Sequence, residues 1–243
     1  MAAGSIPSKG ADLTRFSRQL SLDLPLEPRV GREDFLVSPS NRIAFEMIER
    51  WPAWPDRALM LIGPPGAGKS HLAAIWAARA GATTIAARDL AAADIEAVAA
   101  AGAVLLEDAD QAPGVETRMF HLLNLARAAG HWVLMTARDF PDRWGLATAD
   151  LLSRLRLAPV VEIGAPDDAL VRSVLVKLFA DRQVAVEAGL VEFLANRIER
   201  SLGAARAIVA ALDEEALARG RAISKPLAAE LLRRVDDAEE NSR

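Results

Sequence analysis

At 243 residues, with 51% hydrophobic residues, no cysteine and a formal net charge of −4, the chain can bury a core without staples and disulfide and thiol chemistry are excluded. Much of the apolar content is alanine, no apolar run approaches the ~20 residues that span a bilayer, and residues 1–17 lack the continuous apolar stretch of a secretory signal; the expectation is a soluble, cytoplasmic protein without membrane contact. The acidic balance gives no global electrostatic grip on nucleic acid, so work near DNA would need a partner to bring the chain there.

Residues 1–18 are polar, without helical or strand period, and read as a flexible tail. The peptide Gln19-Leu20-Ser21-Leu22-Asp23-Leu24-Pro25-Leu26 alternates apolar and polar residues, but it is too short and isolated to form a strand alone. Pro25, Pro28, Gly31 and Pro39 break the stretch that follows. Ile43, Ala44, Met47, Ile48 and Trp51 then have helical spacing.

The apolar run Ala58–Ile62 predicts a strand and the pattern from His71 onward a helix. Between them stands Gly63-Pro64-Pro65-Gly66-Ala67-Gly68-Lys69-Ser70, a phosphate-binding loop with all its fixed positions filled and in the strand-to-helix context it requires. Its glycines let backbone amides point at a β-phosphate, Lys69 reaches the β and γ oxygens, and the Ser70 hydroxyl is placed for Mg²⁺. The helix that opens through His71 adds its positive end to the same site. These residues are the predicted binding set for ADP or ATP.

Downstream come a strand at Thr83–Ala86, an Ala-rich helix over about Leu90–Ala101, a strand at Ala103–Leu106, a helix through Thr117–Ala129, a strand at Trp132–Thr136, a helix around Thr148–Leu155 and a strand at Val160–Ile163. Strand alternating with helix at this rhythm predicts an α/β fold, a doubly wound parallel sheet. The pattern changes at Gly164-Ala165-Pro166-Asp167-Asp168, where Asp167 or its neighbour caps a new helix. From there to Val235 the period is helical, with Gly203 and Gly220 as punctuation. The predicted division is a flexible segment at 1–30, an α/β nucleotide domain at 31–164 and a small C-terminal helical domain at 165–243.

Glu107 and Asp108 end the strand that begins at Ala103, where a P-loop protein keeps one acid for Mg²⁺ and one to polarise the attacking water. The predicted metal set is therefore Ser70 with Glu107. Asp110, two residues on, reads as a turn residue. Thr136, at the end of its strand, is a candidate to orient water or a γ-phosphate oxygen, and Arg154 and Arg206, taken alone, read as surface groups.

The order of these elements resembles the AAA+ ATPase family, in which they are Walker A, Walker B, sensor 1, arginine finger and sensor 2; the resemblance spans roughly residues 35 to 235. It implies a site between subunits: Arg154 serves a neighbour's nucleotide, so that a homo-oligomer or other assembly is expected, and Arg206 folds the helical domain as a lid onto this chain's own nucleotide. Within the family, the segment Asp34 to Ala44, Asn41 included, resembles the one that packs around adenine in the bacterial initiator DnaA. The sequence stops before the helix-turn-helix domain into which DnaA continues. Gln19-Leu20-Ser21-Leu22-Asp23-Leu24 resembles the motif by which bacterial replication proteins bind the sliding clamp, the β subunit of DNA polymerase III. In such a peptide Gln19 enters a polar notch while Leu22 and Leu24 fill one apolar pocket; the expected clamp-binding set is Gln19, Leu20, Leu22 and Leu24. Each buried leucine contributes roughly 1.5–3 kcal/mol before ordering costs, so avidity on a dimeric clamp matters.

A clamp peptide on a DnaA-type core is similar to the Hda family of DnaA-homologous regulators. That resemblance implies docking on DNA-loaded clamps, indirect contact with DNA, and promotion of hydrolysis of DnaA-bound ATP by a chain that itself holds ADP. Here the Walker B order is Glu107 then Asp108, where the family opens with aspartate. The exchange moves each carboxylate by about one C–C bond, ~1.5 Å, and a displacement of about 1 Å can cost 10²-fold in rate, which predicts slow intrinsic hydrolysis. The competing readings are a DnaA-like helicase loader, a nucleotide-gated adaptor that promotes no hydrolysis, and a small-molecule P-loop kinase. No basic stripe or aromatic platform supports the loader, and the terminal helical unit does not suit the kinase.

Overall fold

Short runs, mostly rich in leucine, valine and isoleucine, form β1 (Ala58–Ile62), β2 (Thr83–Ala86), β3 (Ala103–Glu107), β4 (Trp132–Ala137) and β5 (Val160–Glu162); β2 is the edge strand Thr-Thr-Ile-Ala. They pair in parallel in the order β2-β3-β4-β1-β5. The computed structural model describes residues 31–240, with side chains as far as Arg234; the peptide Gln19–Leu24 lies outside the described residues.

Successive strand residues point to opposite faces, and both faces are covered. Leu59, Leu61, Leu105 and Leu134 pack against α1 (Arg42–Glu49) and α2 (Lys69–Ala80). Met60, Ile62, Val104, Leu106, Val133 and Met135 pack on the other side against α3 (Ile95–Ala99), α4 (Glu116–Ala128) and α5 (Ala149–Arg156). This is the α/β class expected from the alternation of strands and helices, a doubly wound sheet.

Four further helices, α6 (Asp168–Asp181), α7 (Ala188–Ala195), α8 (Leu202–Arg219) and α9 (Lys225–Glu240), enclose a separate apolar cluster that includes Leu175, Phe179, Leu194, Val209 and Leu212. Asp167 caps α6 by accepting from the Leu170 amide at 2.7 Å. Ser201 caps α8 by accepting from the Gly203 and Ala204 amides at 3.1 and 3.2 Å.

Two local expectations are corrected. The continuous helix over Leu90–Ala101 is instead a 3-10 turn, Ala87–Ala91, followed by the short α3. Asp94 caps α3 through the Ala97 amide, and Arg118 of α4 takes up the carbonyls of Leu90 and Ala93 at the break, so a tertiary contact overrides alanine's helix propensity. Gly203 does not punctuate a helix but lies in the first turn of α8, while Gly220 does end it in the left-handed conformation.

Candidate functional site

The chain leaves β1 for the far strand β2 and later returns to β5 on the other side of β1, so the winding reverses between β1 and β4. Open α/β sheets present their ligand crevice at the carboxyl ends of such strands. The loop 63–70 occupies that place. The Gly63 amide donates to the Ala137 carbonyl at 3.2 Å, and a Cβ on Gly63 would run into the Ile163 carbonyl oxygen. Gly66 has φ +70°, and a Cβ there would overlap the Ser201 hydroxyl; beside it, the Leu202 amide donates to the Gly66 carbonyl at 2.8 Å. The end of β5 and the first turn of α8 thus grip the loop from two sides.

Gly66→Ala is accordingly expected to add about 1–2 kcal/mol of left-handed backbone strain and to lift α8 from the loop. A fall in Tm of roughly 2–8 °C follows for a domain of this size. An unchanged thermal melt would contradict the close approach.

Lys69 is buried, and its ammonium donates to the carbonyls of Gly63 at 2.6 Å and Pro64 at 3.0 Å. Burial holds its pKa below the ordinary lysine value; the carboxylates of Asp110 and Asp108 oppose that shift, and Arg138 adds to it. Charge is therefore held here at a cost that an anion in the loop would offset. Pro64, Pro65 and Ser70 are exposed, and Ala67 is buried beneath them. The exposed Ser70 stands at the first turn of α2.

Glu107 closes β3 on the face covered by α2 and shares a shallow depression with Ala74, Ala78 and Thr84. Ala74 is one helical turn beyond Ser70. Among the described residues no group of three or more His, Cys, Asp or Glu could hold a metal alone. A Mg²⁺ held by Ser70 and Glu107 would need phosphate and water to complete its shell. Asp108 adopts the left-handed conformation, φ 50°. Its amide donates to the Thr136 hydroxyl at 3.0 Å, and Thr136, fully buried, fixes that turn from the neighbouring strand. Asp110, read from sequence as a turn residue, does lie in the turn Ala109–Gln111. Its charge nevertheless acts on Lys69 more than any other. Arg138 had no motif to mark it.

Beside the loop, a cleft of about 380 Å³ runs between the α/β unit and the helical unit, lined by Phe35, Gly68 and His71 on one side and Val174, Lys177 and Arg206 on the other. His71 Nδ1 lies 3.3 Å from an Arg206 guanidinium nitrogen, and its Nε2 lies 3.3 Å from the Gly31 carbonyl. Arginine only donates and a carbonyl only accepts, so the ring carries its proton on Nε2. Arg206 stays accessible along its length, yet the protein around its guanidinium lowers its pKa by desolvation. Lys177 pairs with Asp34 at 2.7 Å and with Asp181 at 3.0 Å. It is thus a wall of the cleft. Asn41 is buried and spends its side chain on its own preceding segment: Oδ1 accepts from the Ser38 amide and Nδ2 donates to the Leu36 carbonyl. It shapes the segment that carries Phe35.

Burial lowers the His71 pKa from its ordinary 6.5; the Gly31 contact opposes, Arg206 reinforces, Asp34 opposes and Lys177 reinforces. As pH falls below the unfolded value, the unfolded chain takes the proton first, so stability declines from about pH 6.5 down to the folded pKa. Melts at about pH 7.5 and 5.5 are expected to show this loss, reduced in His71→Gln. An equal loss in the variant would exonerate His71.

Arg154 lies away from all of this. It is half-buried on α5, and one guanidinium nitrogen donates to Asn124 Oδ1 of α4 at 2.8 Å. It lines a small depression with Arg57, Ala58, Arg127, His131 and Val133, beside the amino ends of β1 and β4. The structure brings together the loop, Thr136, Asp108 and Arg206, and leaves Arg154 at the opposite end of the sheet.

Neither a protein-family model nor a curated protein sequence matches the chain. Solved structures do. Domain III of the Thermotoga maritima replication initiation protein DnaA superposes with a TM-score of 0.76 at 19% identity, over 86% of this chain and 98% of that one. AMPPCP-bound DnaA from Aquifex aeolicus gives 0.65 at 18% identity over 77% and 66%, and the FIGL-1 AAA domain in complex with ADP gives 0.60 at 15% over 82% of each. The chain therefore has the AAA+ fold, in the form that DnaA domain III displays.

Proposed function

We propose that this chain is an AAA+ regulator of replication initiation of the Hda type. It binds ADP or ATP with Mg²⁺ through Gly63–Ser70, docks on the DNA-loaded sliding clamp through Gln19–Leu24, and promotes hydrolysis of ATP held by DnaA. The observation that carries the reading is the superposition on essentially the whole of DnaA domain III, a shape suited to standing beside DnaA as one AAA+ unit beside another. The phosphate loop and the cleft next to it support nucleotide binding, as does the presence of AMPPCP and ADP in structural neighbours.

In this reading the nucleotide supplies the polyphosphate that settles Lys69 and Arg206, and Mg²⁺ supplies charge neutralisation. The chain's own residues would hold them: backbone amides of the loop would cradle phosphate, the cleft walls that include Phe35 and Val174 would receive the base, and the contact between Leu202 and Gly66 would couple loop occupancy to the position of the helical unit. Arg154 reaches the partner's phosphates, where an arginine supplied in trans stabilises transferring charge.

The test is phosphate release from DnaA–ATP in the presence of DNA-loaded clamp. Stimulation that is lost in Gln19→Ala but restored at high protein concentration supports the reading, since the peptide supplies only local concentration. Clamp binding without stimulation at any concentration favours the adaptor; no clamp binding removes the docking step.

A further inference from the structure

Register places one unassigned cation against the loop. Ile62 pairs with Ala137 across β1 and β4, and the Gly63 amide bonds to the Ala137 carbonyl. Arg138 is therefore the first residue past the sheet on the strand that touches the loop, at the reversal of winding where ligands enter. Facing it, Asp110 stands on the turn after β3, with Oδ2 3.8 Å from Arg138 Nε.

The pair is unequal and loose. The Asp110 side chain is 16% exposed and that of Arg138 60%, while Asp110 Oδ1 is buried without a hydrogen-bond partner among the described residues. A charge-assisted bond closes to about 2.7–2.9 Å, so this contact is well short of one. The carboxylate is only half satisfied and the guanidinium is mostly in water, free to exchange its partner. Lys69, which feels the charges of both Asp110 and Arg138, is engaged with the carbonyls of its own loop. Two cations thus converge on one rim of the crevice, and the Asp110 carboxylate acts on both.

We propose that Arg138 is a second phosphate-contacting cation of this site, acting in cis, and that Asp110 restrains it until a terminal phosphate offers a better partner. The inference rests on the reading of Gly63–Ser70 as a nucleotide site and adds specificity to it. The ligand class is a nucleoside triphosphate as distinct from a diphosphate. A diphosphate satisfies the loop amides and Lys69 and leaves Arg138 on Asp110; a γ-phosphate adds the charge and the paired oxygens that a guanidinium fork fits. The chain would then read which nucleotide it holds through one arginine changing sides.

The experiment is calorimetric titration of the full chain with ADP and with AMPPCP, for the native protein, Arg138→Gln, Asp110→Asn and Lys69→Met, each checked by a thermal melt. Arg138→Gln is expected to weaken AMPPCP about 10-fold, the scale of one charged hydrogen bond, and ADP less than about 2-fold on the same scale. Asp110→Asn, which frees Arg138, is expected to tighten AMPPCP and leave ADP alone. Equal weakening of both nucleotides by Arg138→Gln, or no change, overturns the inference, as does weaker AMPPCP binding in a folded Asp110→Asn protein. Lys69→Met separates the two levels: loss of both nucleotides there with Arg138→Gln unaffected removes only the role of Arg138, whereas native affinity in Lys69→Met removes the nucleotide site itself.

Discussion

Arg154→Ala is expected to lower the stimulated hydrolysis of DnaA-bound ATP by about 10³-fold or more while this chain binds its own nucleotide as before. Arg154 sits beside Ala58 and Val133 at the amino ends of β1 and β4, whereas the loop follows the carboxyl end of β1 at Ile62. Four strand steps of ~3.3 Å put about 13 Å of sheet between the two. The guanidinium is thus out of reach of this chain's own loop, as the proposed role in trans requires. Its bond to Asn124 occupies one of five N–H donors, so the contact can hold the side chain in place and still leave the fork open. Arg154→Lys is expected to rescue little, because an ammonium cannot make the planar two-point contact. The measurement is phosphate release from DnaA–ATP with DNA-loaded clamp, beside a nucleotide titration of each variant; undiminished stimulation by Arg154→Ala would end the assignment in trans.

Lys69→Met is expected to weaken nucleotide binding at least about 100-fold, the loss of two charged hydrogen bonds of roughly 1.5 kcal/mol each. The same change should leave the nucleotide-free fold almost untouched. Burial disfavours the charged form of Lys69, so a neutral side chain of similar length removes a desolvation cost as well as the bonds to Gly63 and Pro64. These opposing contributions leave stability within about 1 kcal/mol of native. Thermal melts with and without ADP check both halves: the ligand-induced rise in Tm should vanish while the ligand-free Tm holds. A variant that melts far below the native protein would show Lys69 to be a structural residue.

The phosphate loop was legible because its fixed positions stand between a strand and a helix, and both flanks, Ala58–Ile62 and the helix through His71, formed where the pattern placed them. The central strands β1, β3 and β4 were legible because buried parallel strands are short apolar runs, and the edge strands β2 and β5 because β-branched residues recur at the same rhythm. The break within Leu90–Ala101 was not: alanine favours helix throughout, and what decides is Arg118, brought from α4 to the open carbonyls. The wall of the cleft was hidden for the same reason. Lys177 meets Asp34, far earlier in the chain, at 2.7 Å, and His71 meets Arg206, pairings between residues far apart in the sequence. Asp110 was visible as a turn residue, but its buried, unpartnered oxygen comes from packing that no local spacing encodes. Arg138 has no motif; only strand register sets it beside Gly63.

The central physical claim is that a polyphosphate settles in the loop 63–70 beneath the first turn of α8. Titration of the native protein with ADP and Mg²⁺ tests it without any partner. The account predicts saturable binding of one nucleotide per chain with a rise in Tm; no saturable binding up to about 1 mM, where binding would be worth only ~4 kcal/mol, would contradict it.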